Sequence, residues 1–373
     1  MPRIKVDAPA KLNLHLQIGD RRPDGFHHIE SLFIALAFGD TLSFETFHTP
    51  QVMEICMDWQ LPEVLSGIVR SGDFPVGKAA DKVAIPPEKN IISRAVSLFR
   101  SRTGYEEGLK ISVEKRIPPG GGLGGGSSDA AAVLLALNHL ASPDGKGLVS
   151  DTVLAEMGAS LGSDVPFFLC AAGGIIQEEF FTTEYTEFHG EKEDFRIKIP
   201  CNSVTSVVNS SSFHSAAWVR GRGEQIQPLE LPESARNLSI VLVNPGFLSD
   251  TAEAYRLFDV WRMKNTLLPP QNPEFLMQSL AGPPQNWPFF NDFLTVFKNT
   301  AEEYPAMSGI ITIYQHIISD LKEQGAAFAG LSGSGSTCFG VFSEREKAES
   351  TWESLAAHWP FVVSTFVLAR QTI

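Results

Sequence analysis

Apolar and polar residues alternate through the segment from Leu12 to Ile18. Leu12, Leu14, Leu16 and Ile18 would line one face of a strand, and Lys11, Asn13, His15 and Gln17 the other. The same period of two returns from Gly39 to Glu45 and again at Leu109, Ile111 and Val113, which alternate with Lys110, Ser112 and Glu114. Elsewhere the period lengthens to that of a helix. Ile91, Ala95, Leu98 and Phe99 follow a capping Asn90 and precede a terminating Gly104. Val133, Leu137, Leu140 and Ala141 form a second stripe, and Leu154, Met157 and Leu161 a third that ends near Gly162. Later, Leu238 to Val243 reads as a buried strand, and Thr251 opens a helix with Tyr255, Leu257 and Phe258. Ile310, Ile313, Tyr314, Ile317 and Leu321 mark another helix, and a helix from Ser343 with a strand from Phe361 to Ala369 closes the chain. Two stretches, about 50–87 and 177–219, lose periodicity and are expected to be insertions. Pro269 to Pro288 reads as a proline-rich connector.

Between the strand at 109–114 and the helix of Val133 lies Pro118-Pro119-Gly120-Gly121-Gly122-Leu123-Gly124-Gly125-Gly126-Ser127-Ser128-Asp129, with six glycines in seven positions. A backbone without Cβ atoms lets a ligand approach closely, and a helix N-terminus directs its N–H groups and dipole at an anion. The helix is expected to start at the serines. A flexible linker is the bland reading, but a linker does not sit tightly between a good strand and a good helix. Leu331-Ser332-Gly333-Ser334-Gly335-Ser336 is a second small-residue loop, open to reading as a ligand contact or as a tight turn between strands.

Three further places carry chemistry. Lys11 and Asn13 project together from the first strand, as a polar pair or as a solvated face. The turn Arg22-Pro23-Asp24-Gly25 leads into Phe26-His27-His28, a structural cluster or a surface that stacks on a flat base and bonds its edge. Ser163 reads as a helix cap that puts Asp164 in a first turn, where the dipole favours an ionised carboxylate, whether as a cap or as a catalytic base.

Composition narrows the field. The 373 residues suffice for about two domains, and a net charge of −13 without a basic cluster argues against a nucleic-acid partner. Four scattered cysteines form no metal or disulfide pattern, and no apolar run is long enough for a bilayer, so a cytoplasmic protein without a membrane partner is expected. Gly72 to Ala79 matches most of a phosphate-binding P-loop, but alanine stands where the metal-holding hydroxyl belongs, and the match is set aside. Gly120-x-Gly122-x-x-Gly125 also fits a dinucleotide fingerprint and makes an oxidoreductase a rival. Its position after about 110 residues and its surplus glycines count against that reading.

Three stretches together resemble the GHMP small-molecule kinase superfamily: Pro9-Ala10-Lys11-Leu12-Asn13-Leu14, the loop from Pro118 to Ala132, and Ser332 to Ser336. With Arg22 to His27 and Leu161-Gly162-Ser163-Asp164-Val165-Pro166-Phe167, the chain is most similar to the cytidine diphosphate-methylerythritol kinases of the non-mevalonate isoprenoid pathway. Phe26 stands where that family usually has tyrosine, Asp129 where it usually has asparagine, and the chain is longer than the family pattern.

The resemblance implies an α+β, two-domain fold. An N-terminal ATP-binding domain (ribosomal protein S5 domain 2-like) would span 1–175, and a C-terminal domain with a ferredoxin-like sheet would span 176–373. It implies ATP and magnesium, with Pro119, Gly120, Gly121, Gly122, Leu123, Gly124, Gly125, Gly126, Ser127 and Ser128 around the phosphates and a serine hydroxyl, such as that of Ser128, offered to the metal. Asp164 would take the proton of the attacking hydroxyl, or serve partly as a metal ligand, and Lys11 would stabilise the charge that develops. Asn13, Phe26, His27, Thr251, Tyr255, Gly333, Ser334 and Gly335 would surround a cytidine diphosphate-linked polyol. A GHMP kinase for homoserine, mevalonate or a sugar, and a silent nucleotide-binding regulator, are the alternatives.

Overall fold

The structure is a computed structural model that describes residues 3–61, 90–142, 145–172, 176–182, 201–207, 214–266, 269–301 and 304–369. Two long antiparallel strands, β1 (Arg3–Arg21) and β2 (His27–Phe47), form its spine. They are followed by β3 (Met53–Trp59), α1 (Ile91–Thr103), β4 (Gly108–Lys115), α2 (Gly125–Leu140), α3 (Asp151–Leu161) and α4 (Val165–Ala172). Strands β5 (Ile176–Thr182), β6 (Cys201–Val207), β7 (Ala216–Gly221) and β8 (Gln225–Leu229) complete an eight-stranded sheet. The chain continues through α5 (Glu233–Arg236), β9 (Ser239–Asn244), α6 (Thr251–Arg262), α7 (Pro273–Ser279), α8 (Asp292–Thr300) and α9 (Pro305–Glu323). It ends with β10 (Phe328–Leu331), β11 (Cys338–Phe342), α10 (Arg345–Ala356) and β12 (Phe361–Phe366). Strands β10, β11, β9 and β12, in that order, make a second, antiparallel sheet.

The two ends read for the helix of Ile91 hold. Asn90 Oδ1 accepts the N–H of Ile92 at the start of α1, and Gly104 ends that helix in the left-handed region. The expected irregular stretch at 177–219 is corrected: it contributes β5, β6 and most of β7 to the first sheet. The change from the first sheet to the second falls between Leu229 and Ser239, later in the chain than the expected division at 175. Of the stretch at 50–87, the first part is β3, parallel to β4, and the P-loop-like segment at 72–79 lies outside the described residues. The expected connector at 269–288 contains α7.

The alternation in β1 does not sort core from surface as expected. A bulge between Asn13 and His15 inserts a residue and turns the strand over. Leu12 and Leu14 therefore pack in one core with Leu32, Ile34, Ile240, Leu242 and Phe339, which joins the two sheets. Leu16 and Ile18 pack in the other, with the helical residues Val133, Leu137 and Phe167. Both faces of β1 are buried, and each sealed leucine or isoleucine contributes roughly 1.5–3 kcal/mol. The same bulge leaves Lys11 and Asn13 on one face while His15 turns to the other, against Trp218 and Phe290.

Candidate active site

The glycine-rich loop hangs between two fixed ends. Lys115, the last residue of β4, places its Nζ against Asp40 and Asp129 together, 2.6 Å from the latter, and all three are buried. Asp40 Oδ1 also accepts the N–H groups of Arg116 at 2.5 Å and Ile117 at 2.8 Å, where the chain leaves the strand for the loop. Asp129, in the first turns of α2, holds the far end. The charge that asparagine-to-aspartate replacement would bring to the phosphate loop is thus turned inward onto Lys115. Burial, with Asp40 beside it, raises the Asp129 carboxyl to about 7 against the pull of Lys115. Burial opposes the Lys115 ammonium, but the two carboxylates outweigh it and raise its pKa.

Helix α2 starts at Gly125, two residues before the serines expected to open it. Gly124 precedes it in the left-handed region, and no side chain caps the first turn. The first N–H groups of a helix have no carbonyl partners within it, so this end suits an anion. The glycines do two jobs. Gly126 is exposed, with only Ile91 near the place of a Cβ, at 3.8 Å, so its backbone is open to approach. At Gly122, by contrast, φ is +75° and a Cβ would lie 2.1 Å from the carbonyl oxygen of Ser332. This glycine is required by protein packing, because the second small-residue loop lies directly on the first. Ser332 Oγ donates to the Gly122 carbonyl at 2.9 Å, and the Thr337 N–H donates to the Gly121 carbonyl at 3.1 Å. The second loop is therefore a turn between β10 and β11 that packs on the first.

Lys11 reaches the loop from below. Its N–H donates to the Leu123 carbonyl at 3.0 Å, and its Nζ donates to the Gly122 carbonyl at 2.9 Å and to Asn13 Oδ1 at 2.5 Å. The Phe33 ring lies 4.9 Å from the ammonium. Asp164 Oδ2 is 3.8 Å away. Burial lowers the Lys11 pKa below its ordinary value, and Asp164 offsets part of that. Helix α4 begins at Val165, so Asp164, rather than Ser163, stands immediately before the first turn. Its side chain is 26% exposed while that of Lys11 is 5%, so the carboxylate, not the ammonium, is the group a ligand can reach freely.

Phe26 is half exposed in the turn between β1 and β2, and the Arg222 guanidinium lies 5.3 Å from its ring centre. His27 is buried. Tyr255, expected among the residues around the acceptor, stacks on His27, with ring centres 5.0 Å apart. Asn13 Nδ2 donates to Ser31 Oγ at 2.9 Å, which joins the Lys11 end of the site to strand β2. Thr251 and Ser334 share a hydroxyl bond at 2.9 Å, and a Cβ at Gly333 would lie 3.5 Å from the Gly122 backbone. Gly335, also in the left-handed region, faces the Tyr314 hydroxyl. Pro119 and Gly120 lead into the loop, and Gly120 accepts the Ser249 N–H at 3.0 Å.

Four contributors were missed in the sequence. Arg222 lies over Phe26, Asp259 bonds to His27, and Ser31 supports Asn13. Asn291 Nδ2 donates to the carbonyls of Leu331 and Gly333, both at 2.8 Å, and so holds the second loop. Only Ser31 left a signal, since it shares the face of His27 at a spacing of four along one strand. Ser128 is wholly buried and its hydroxyl has no partner, whereas Ser127 is half-buried. Among the described residues no cluster of three or more His, Cys, Asp or Glu is arranged to hold a metal, and no helix is long and apolar enough to cross a membrane.

Known proteins resemble this chain. Residues 90–172 match the GHMP kinases N terminal domain, and residues 312–360 the GHMP kinases C terminal family. The chain is 30% identical to the 4-diphosphocytidyl-2-C-methyl-D-erythritol kinase of Treponema pallidum (strain Nichols), over 97% of this chain and 98% of that one. It is 31% identical to the enzyme of the same name from Xanthomonas axonopodis pv. citri, over 93% and 85%. A crystal structure of 4-(cytidine 5'-diphospho)-2C-methyl-D-erythritol kinase superposes with a TM-score of 0.63 at 26% identity, covering 98% of this chain and all of the other. Homoserine kinase from Cytophaga hutchinsonii, at 16% identity and a TM-score of 0.55, shares the fold. With an uncapped helix behind a glycine-rich loop, a lysine and a carboxylate beside it, and this likeness along nearly its whole length, the chain belongs to the GHMP kinases, ATP-dependent kinases of small molecules.

Proposed function

We propose that the chain transfers the terminal phosphoryl group of ATP to the 2-hydroxyl of 4-diphosphocytidyl-2-C-methyl-D-erythritol, a step in non-mevalonate isoprenoid synthesis. The observation that carries the proposal is the placement of His27 at the start of the strand that also bears Ser31 and Phe33, with Phe26 in the turn just before it, beside Asn13 and Lys11. An aromatic face and an imidazole suit a pyrimidine, and the relatives named above act on a cytidine-linked substrate.

Phosphoryl transfer asks a protein for positioning and for neutralised charge. The uncapped first turn of α2 and the exposed backbone at Gly126 suit the nucleotide phosphates. Magnesium, brought with the nucleotide, would neutralise phosphate charge, and Ser127 or Ser128 would offer it a hydroxyl. Asp164 accepts the proton of the attacking hydroxyl. Lys11, held by Asn13 and the Gly122 carbonyl, stands 3.8 Å from Asp164 and faces the charge that develops on transfer. Its lack of exposure keeps water from screening that charge.

The test is ADP release measured against a panel of alcohols: the cytidine-linked methylerythritol, homoserine, mevalonate and a sugar. Preferred turnover of the cytidine compound is expected. Preference for another alcohol would transfer the chain to that branch, and no turnover with any would favour a regulatory nucleotide binder.

A further inference from the structure

His27, the first residue of β2, has a side chain only 4% exposed, and three neighbours fix its ring. Tyr255 stacks on it with an interplanar angle of 12°, Phe258 meets it edge-on at 5.5 Å, and Asp259 Oδ1 lies 2.8 Å from Nε2. All three come from α6, more than 200 residues further along the chain. Arg21 Nη1 sits 3.8 Å from the other oxygen of Asp259. A carboxylate has no proton to give, so the contact with His27 is a bond donated by Nε2–H. In a neutral imidazole this leaves the lone pair on Nδ1. No described residue bonds to that nitrogen, and it is not among the buried atoms left without a partner.

We infer that Asp259 is a positioning residue that makes His27 Nδ1 a fixed acceptor, and that the site thereby selects a base offering an exocyclic amino group over one offering a carbonyl. The inference rests on the reading of the acceptor as a cytidine diphosphate derivative. Cytosine presents an amino donor at C4, whereas uracil presents a carbonyl oxygen there, which would meet the Nδ1 lone pair with a lone pair of its own. Tyr255 and Phe258 block the ring flip that would exchange the two nitrogens. Without the carboxylate, the proton is free to move to Nδ1, and the ring then accepts either base.

The experiment compares the wild type with Asp259→Asn and Asp259→Ala. It measures kcat/KM for the cytidine acceptor and its uridine analogue, KM for ATP, and the 15N resonances of the His27 ring in the free protein. The wild type should show the Nε2–H form and prefer the cytidine acceptor. Both variants should lose at least roughly tenfold of that preference, the scale of one directed hydrogen bond, while KM for ATP stays within about twofold. A wild-type ring protonated at Nδ1, or a base preference unchanged in both variants, overturns the proposal. If the wild type turns over neither acceptor, the proposed substrate falls on its own. The role of Asp259 then stands if the ring is Nε2–H and CDP, but not UDP, shifts the Nδ1 resonance, and it falls otherwise.

Discussion

Lys11 Nζ and Asp164 Oδ2 lie 3.8 Å apart, close enough to attract but too far for a direct hydrogen bond. The lysine gives two of its three donors to Asn13 and the Gly122 carbonyl and makes no hydrogen bond to the carboxylate, whose acceptor sites would remain for a substrate hydroxyl. Lys11→Ala and Asp164→Ala should each lower kcat by at least roughly a hundredfold, the low end for loss of a charge-stabilising or acid-base group. Steady-state kinetics check this, and near-normal turnover in either variant would remove that residue from the mechanism.

Burial sets the titration of Lys11 below the ordinary lysine value of 10.5, with Asp164 opposing the shift. A lowered lysine pKa means that the ammonium is lost as pH rises, and earlier than in a solvated lysine. Turnover should therefore decline on the alkaline side below pH 10.5, and 13C-labelled lysine should show Lys11 titrating ahead of the surface lysines. A Lys11 resonance that titrates with the others would contradict this.

Gly122→Ala would push a methyl group to 2.1 Å from the Ser332 carbonyl oxygen in a backbone region that alanine resists. The two loops must then separate. The expected outcome is a KM for ATP raised by at least roughly tenfold, together with a lower Tm. The same change at Gly126, where space is open, should cost no stability beyond about 1 kcal/mol. Equal effects at the two positions would show that packing between the loops is not what Gly122 serves.

Asp129 carries a folded-state pKa of about 7 against an ordinary 3.8, raised by burial and by Asp40. Between these values the folded chain holds a proton that the unfolded chain has released, so stability falls as pH rises through the window. Asp129→Asn removes the titrating group and leaves Asp40 and Lys115 as a matched pair. Its Tm should change less than that of the wild type between pH 5 and pH 8, and at pH 8 it should melt higher by about 2 °C. A steeper pH dependence in the variant would refute the assignment. Lys115→Ala, which strands two buried carboxylates, should instead destabilise by about 3–5 kcal/mol.

Phe26→Ala should raise the acceptor KM by about tenfold, the scale of one base stacked on an aromatic ring, and leave the KM for ATP unchanged. Arg222→Ala, which uncovers one side of that ring, should act in the same direction more weakly. Matching losses for both substrates would argue against stacking.

Local chemistry was legible in the chain because it depends on neighbours in sequence. Asn90 and Gly104 mark the ends of a helix through their own backbone preferences. The glycine-rich loop announces close backbone approach, and Lys11 with Asn13 shares a face because both precede the bulge. The bulge itself was invisible, since an extra residue leaves the alternation of side-chain types intact while reversing the direction in which they point. Strands β5 and β6 were hidden for a related reason: a strand completed by pairing with distant partners needs little periodicity of its own. Tertiary structure alone decided which groups would act together. It set Asp40 and Asp129 around Lys115, laid Ser332 on Gly122, and brought Asp259 from a late helix to His27 on an early strand. The sequence by itself determined that a phosphate could be held beside a lysine and a carboxylate. How the His27 ring is oriented, and why Gly122 has no substitute, depend on contacts across more than 200 residues of chain, which only the folded packing creates.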